Sequence, residues 1–108
     1  MAGMQSSENT QLSEKQRRHL KGLAHPLKPV ILMGNAGLTD ALVQATAEAL
    51  ATHELIQVRL PGAEREARDA ALAQLAERTG SVMVTRIGHV AVLYRGHPEL
   101  PRIVLPAT

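Results

Sequence analysis

Hydrophobic positions along the chain switch repeatedly between a helical and an extended period, and the switches mark out seven elements. Leu20, Leu23 and Ala24 stand at i, i+3 and i+4 and predict one buried stripe on a first helix. Ser13 and Gln16 open that helix with the S-x-x-Q spacing of a capping box, in which each side chain satisfies a backbone N–H at the other position. Pro26 closes it, because the residue before a proline is pushed out of the α region. Lys28–Met33 (KPVILM) then reads as a buried strand, with Pro29 at a tolerated place near its start. Gly34-Asn35-Ala36-Gly37 makes a strand-to-helix loop. Thr39 is the expected N-cap of a second helix that runs to about His53, with Leu42, Ala45, Ala49 and Leu50 on its buried side.

In Leu55–Leu60 the period falls to two, with Ile56, Val58 and Leu60 alternating against Gln57 and Arg59. Pro61-Gly62 breaks this strand. Glu64–Thr79 is again helical, with Ala67, Ala71, Leu72, Leu75 and Ala76 as its expected buried side and Gly80 where a terminating glycine belongs. Ser81–Ile87 and Val90–Tyr94 are strands joined by the two-residue turn signal Gly88-His89. Arg102–Leu105 is expected to add a short edge segment. The order α-β-α-β-α-β-β predicts a compact α/β (α+β) domain. Its four-stranded mixed sheet has parallel crossovers early and an antiparallel hairpin late. Residues 1–11 are polar and without period, so they are expected to form a flexible tail, with 12–108 as a single domain.

Composition then removes whole classes of function. Tyr94 is the only aromatic residue, which excludes modules that stack successive bases on Phe or Tyr rings. Cysteine is absent, which excludes disulfides, thiolate metal sites and a cysteine nucleophile. The longest apolar runs, such as Val30–Met33, fall far short of the roughly 20 residues that cross a bilayer. Met1–Thr10 lacks the basic and apolar regions of a signal peptide, and Ala2 excludes myristoylation, so a cytoplasmic protein away from membranes is expected.

Nothing in the chain asks for catalysis. There is no G-x-S-x-G elbow, and Glu64, Glu66 and Asp69 crowd the start of the third helix, where they favour its dipole. His19, His25, His53, His89 and His97 form no H-x-x-x-H or H-E-x-x-H pattern. The expectation is a protein that is no enzyme and carries neither metal nor cofactor.

Charge distribution says more than the formal net charge of +2. Lys15, Arg17, Arg18, Lys21 and Lys28 face a single acid, Glu14, across the first helix and the approach to the first strand. The middle of the chain is acidic, and Arg86, Arg95 and Arg102 make its last part basic again. Such a split suggests one basic face for a polyanion, although a basic helix taken alone reads more readily as a solvated face. Gly34-Asn35-Ala36-Gly37 adds a G-x-x-G loop between strand and helix, a weak signal that also describes an ordinary tight turn. Glycines of this kind let a nucleic-acid backbone approach closely. Arg86, His89 and Arg95, around the hairpin, complete three elements able to meet phosphates. Arg17, Arg18, Arg86 and Arg95 offer forked guanidinium contacts there, while Lys21 and Lys28 act as point charges.

Four stretches also resemble a known family: Leu20–Val30 (LKGLAHPLKPV), Gly34–Thr39 (GNAGLT), His53–Ile56 (HELI), and Ile87-Gly88 through Val92–Arg95 (VLYR). Together they closely resemble the CRM-domain family, and more narrowly its stand-alone bacterial members, the YhbY-like RNA-binding proteins, over about Leu12–Gly96. The resemblance implies a fold similar to the C-terminal domain of a bacterial translation initiation factor. It also implies RNA binding on precursors of the large ribosomal subunit and a role in ribosome assembly. Carried onto this chain, the family's RNA contact falls on Gly34, Asn35, Ala36 and Gly37 with Lys15, Arg18, Lys21 and Lys28, while His25 and Pro26 close the first helix. Asn35 and Ala36 stand where many relatives have a basic or polar residue, and His89 where they often have Lys. Both changes lower fixed positive charge and make contact at the hairpin pH-dependent.

The expected partner is therefore RNA, ribosomal RNA above all, with ribosomal proteins as further partners. The small size and lack of a heptad repeat point to a monomer. The competing expectation is a protein-interaction module that docks through a strand edge or the Ala-rich helices without touching RNA.

Overall fold

The computed structural model describes residues 12–34, 36–62 and 64–107. The expected tail, 1–11, lies outside the described residues. Three helices and four strands follow in the expected order: α1 (Glu14–Ala24), β1 (Pro29–Leu32), α2 (Asp40–His53), β2 (Leu55–Arg59), α3 (Arg65–Thr79), β3 (Val82–Ile87) and β4 (Val90–Tyr94). The sheet order is β1-β2-β4-β3, with β1 parallel to β2 and the other two pairings antiparallel.

The strands' alternation sorts the core into two clusters, one on each side of the sheet. Ile56 and Val58 of β2 and Ala91 and Leu93 of β4 face one way and pack with Leu50 of α2 and Leu72, Leu75 and Ala76 of α3. Leu55, Val92 and Tyr94 face the other way and meet Leu20 and Ala24 of α1, with Ile103 and Leu105 of the C-terminal segment beside them. The sheet is thus the middle of three layers.

Local chemistry fixes the helix ends. The capping box at α1 is complete, with Gln16 N–H donating to Ser13 Oγ at 3.0 Å and Ser13 N–H to Gln16 Oε1 at 3.1 Å. Gln16 Nε2 also donates to the carbonyl of Pro106, which ties the C-terminal segment to α1. Thr39 caps α2 as expected, and Gly80 terminates α3 with φ +67°.

Several expectations need correction. Leu23 is 41% exposed, because the contact face of α1 is narrower than its apolar stripe. His25 stays in the α region before Pro26, so α1 stops because proline offers no N–H, not because His25 is displaced. β1 is an edge strand with only Ile31 buried, which also explains why it accepts Pro29. Ala45 and Ala67 are exposed, and Thr46 is buried in Ala45's stead, its hydroxyl donating to the carbonyl of Leu42. Arg102–Leu105 forms no strand; it is an irregular segment held by side-chain contacts.

Candidate nucleic-acid interface

α1 carries Lys15, Arg18 and Lys21 at successive intervals of three, which aligns them as a slowly turning stripe on its outer surface. All three are exposed and make no ion pair among the described residues. The stripe leads toward the end of the sheet where β3 turns into β4, since Lys21 lines a groove there with Thr85, Ile87 and Val90.

The glycine loop reaches the same end. β1 and β2 run parallel, and Met33 N–H donates to the Arg59 carbonyl just before the loop begins. Leu60 N–H donates to the His89 carbonyl, which brings the hairpin turn alongside. Gly37 N–H closes a tight turn onto the Gly34 carbonyl at 2.9 Å, and Gly37 has φ +75°, a conformation that favours glycine. Gly34 and Ala36 are exposed; Asn35 lies outside the described residues. The start of α2 behind this loop is already in use. Thr39 Oγ1 accepts the Leu42 N–H, and Asp40 in the first turn pairs with Arg78 at 2.7 Å.

Of the other residues of the expected site, Arg17, Arg86 and Arg95 are engaged within the fold and Lys28 lies elsewhere. Arg17 turns inward and donates to the carbonyls of Met83 and Val84 at 2.8 and 2.6 Å, at the irregularity where β3 slips register against β4. Arg86 pairs with Asp69 at 2.7 Å and donates to the Gly88 carbonyl, leaving its side chain 16% exposed. Arg95 donates to the carbonyls of Thr79 and Ala47, which joins α3 and α2 at the far end of β4, away from the hairpin. Lys28 is exposed but sits at the start of β1, about 13 Å of strand from the glycine loop. There it borders an apolar groove with Leu23, Leu27, Val30, His53 and Ile103. His89 is exposed at the hairpin turn.

Two residues that the sequence did not single out matter here. Arg59, the last residue of β2, is exposed and makes no ion pair among the described residues. Its partners across the sheet are Leu32 and Val90, so it stands between the glycine loop and the hairpin. Its alternation with Val58 was visible in the sequence; that no described element covers this end of the sheet was not.

The second is Glu54, which is buried and adopts φ +65° between α2 and β2. Its carboxylate accepts from the backbone N–H groups of His97, Arg102 and Ile103 at 2.9 to 3.1 Å. Burial pushes the Glu54 carboxyl up, but those N–H donors and the Arg102 charge outweigh it, and the group is held below its ordinary value. Burial first, and the Glu54 charge second, push the Tyr94 phenol up. Among the described residues no group of three His, Asp or Glu side chains is placed to hold a metal. No helix there is long and apolar enough to cross a membrane.

This arrangement places exposed Lys21, Arg59 and His89 beside the turn of Gly34 and Gly37 at one end of the sheet, with no ion pair to Lys21 or Arg59 among the described residues. That is the cationic chemistry that phosphates meet. Residues 12–95 match the family model of the CRS1/YhbY (CRM) domain. An RNA-binding protein of Haemophilus influenzae is 43% identical over 97 residues, spanning 90% of this chain and 97% of its own length. A Bacillus subtilis protein, "Probable RNA-binding protein YqeI", is 38% identical over 88% of this chain and 99% of its own. The solution structure of a hypothetical Staphylococcus aureus protein, described as a candidate RNA binder, superposes with a TM-score of 0.77 at 31% identity. It covers 89% of this chain and all of its own.

Proposed function

The chain belongs to the CRS1/YhbY (CRM) domain family, and from that premise we propose that it is a non-catalytic RNA-binding protein of the cytoplasm. In this reading it acts as a monomer on precursors of the large ribosomal subunit and assists their assembly. The observation that carries it is the exposed stripe Lys15–Arg18–Lys21, without an ion pair among the described residues, which runs toward the sheet end where Gly34, Gly37, Arg59 and His89 gather. Backbone amides of the loop and these cations meet phosphates, and the shape of the RNA supplies most of the selectivity. Arg17, Arg86 and Arg95 belong to the scaffold in this account, because their guanidinium groups are spent on carbonyls and Asp69.

Sedimentation of a lysate tests the ribosomal part of the reading. Enrichment at or just below the large-subunit peak, lost with added salt or ribonuclease, is the expected outcome. Residence at the top of the gradient under every condition contradicts it. The edge of β1, which pairs with no second strand among the described residues, with Val30 51% exposed beside the apolar groove, supports a second reading in which the protein docks on a ribosomal protein. Association that survives both salt and ribonuclease would favour that one.

A further inference from the structure

α1 and the C-terminal segment cover most of one side of the sheet but stop a row short of the hairpin end. Leu32 of β1, Arg59 of β2, Val90 of β4 and Ile87 of β3 are successive register partners there. They form one row across all four strands, about 14 Å wide at ordinary strand spacing. Leu32 is 66% and Ile87 72% exposed. In the angle between the last turn of α1 and β3–β4 lies a groove of 190 Å³, bordered by Lys21, His25, Gln57, Thr85, Ile87 and Val90. That is smaller than the roughly 300–1,000 Å³ of a small-molecule pocket, and suits one flat group. No acidic side chain borders it.

Flat aliphatic surface edged by Lys21, His25 and Arg59 fits a ligand that is planar on one part and anionic on the next. We infer that an unpaired nucleotide of the bound RNA lies on this row, its base over Ile87 and Val90 and against the Arg59 guanidinium, its phosphate toward Lys21. A guanidinium plane stacks on a base as an aromatic ring does, so the lack of Phe and Trp does not forbid base contact. The inference rests on the RNA-binding reading above and adds a preference to it. Contacts to the backbone alone hold strands and duplexes alike; contact with a base face requires an unstacked nucleotide.

The test compares binding of the full chain to short oligoadenylate, single-stranded or paired with oligouridylate. Arg59→Lys keeps the charge and loses the plane, and Ile87→Ser removes the aliphatic floor at an exposed position. Each variant is expected to lose about tenfold in affinity for the single strand. Both should lose clearly less on the duplex than on the single strand, and neither should change the thermal midpoint. Equal single-strand affinity in wild type and both variants overturns the inference and leaves the row free for a protein partner. Equal losses on strand and duplex overturn it too, since the contact is then to backbone. If the wild type binds neither RNA, the RNA-binding reading itself fails, and this inference with it.

Discussion

The Arg17 guanidinium donates to two carbonyls at the irregularity in β3, while Arg18, one residue on, is exposed and unpaired among the described residues. A charged donor lost from partly buried carbonyls costs more than an exposed side chain that touches nothing. Arg17→Ala is therefore expected to lower stability by about 1–2 kcal/mol. Arg18→Ala should stay within about 0.5 kcal/mol of wild type. RNA affinity should reverse that order once measured under conditions where both variants are folded. Urea unfolding and a binding titration on the same preparations check it, and a stable Arg17→Ala protein with weakened binding would contradict the assignment. The family resemblance placed Arg18 and not Arg17 at the RNA contact, but no local pattern says what Arg17 does instead. Both are basic residues off the apolar stripe, and only the position of β3, more than sixty residues away, decides which one is used up. The Ser13–Gln16 box was legible because all its partners lie within one helical turn.

Glu54 works at the scale of elements, since its carboxylate holds the C-terminal segment that helps α1 cover the sheet. Its backbone holds a positive φ that costs a non-glycine residue energy, and the N–H groups it collects offset that cost. Because the folded carboxyl is held below its ordinary value, the stabilisation is present above the unfolded-state value. It is lost as pH falls through the folded one. Stability should thus fall on acidification, and Glu54→Gln should flatten that acid limb while costing about 1–3 kcal/mol at neutral pH. Urea midpoints across the acid range measure both, and an unchanged limb in the variant would contradict the clamp. The sequence predicted a strand over Arg102–Leu105 because apolar residues between prolines resemble an edge. What it hid is that the segment's N–H groups go to a carboxylate some forty-eight residues upstream. The seven elements themselves were legible, since each rests on a local period or a local cap. Their buried faces were less so: Leu23 and Ala67 fit the period and miss the contact.

At the scale of the molecule, the basic ends of the chain do not all gather on one surface. Lys21 reaches the end of the sheet that holds Arg59 and the glycine turn, with Arg18 and Lys15 behind it along α1, while Lys28 and Arg95 lie at the other end of the sheet. The binding face is therefore smaller than a count of cationic residues suggests, and its affinity rests on few phosphate contacts. Each such contact releases counterions, so binding weakens with salt along a slope of about 0.7–0.9 log unit per contact. The most direct test is a salt titration of RNA binding by the wild type and by Arg18→Ala/Lys21→Ala. Weaker binding and a slope shallower by about 0.7–0.9 per lost contact are expected for the double variant. A slope identical to that of the wild type would mean that this stripe of α1 does not touch RNA.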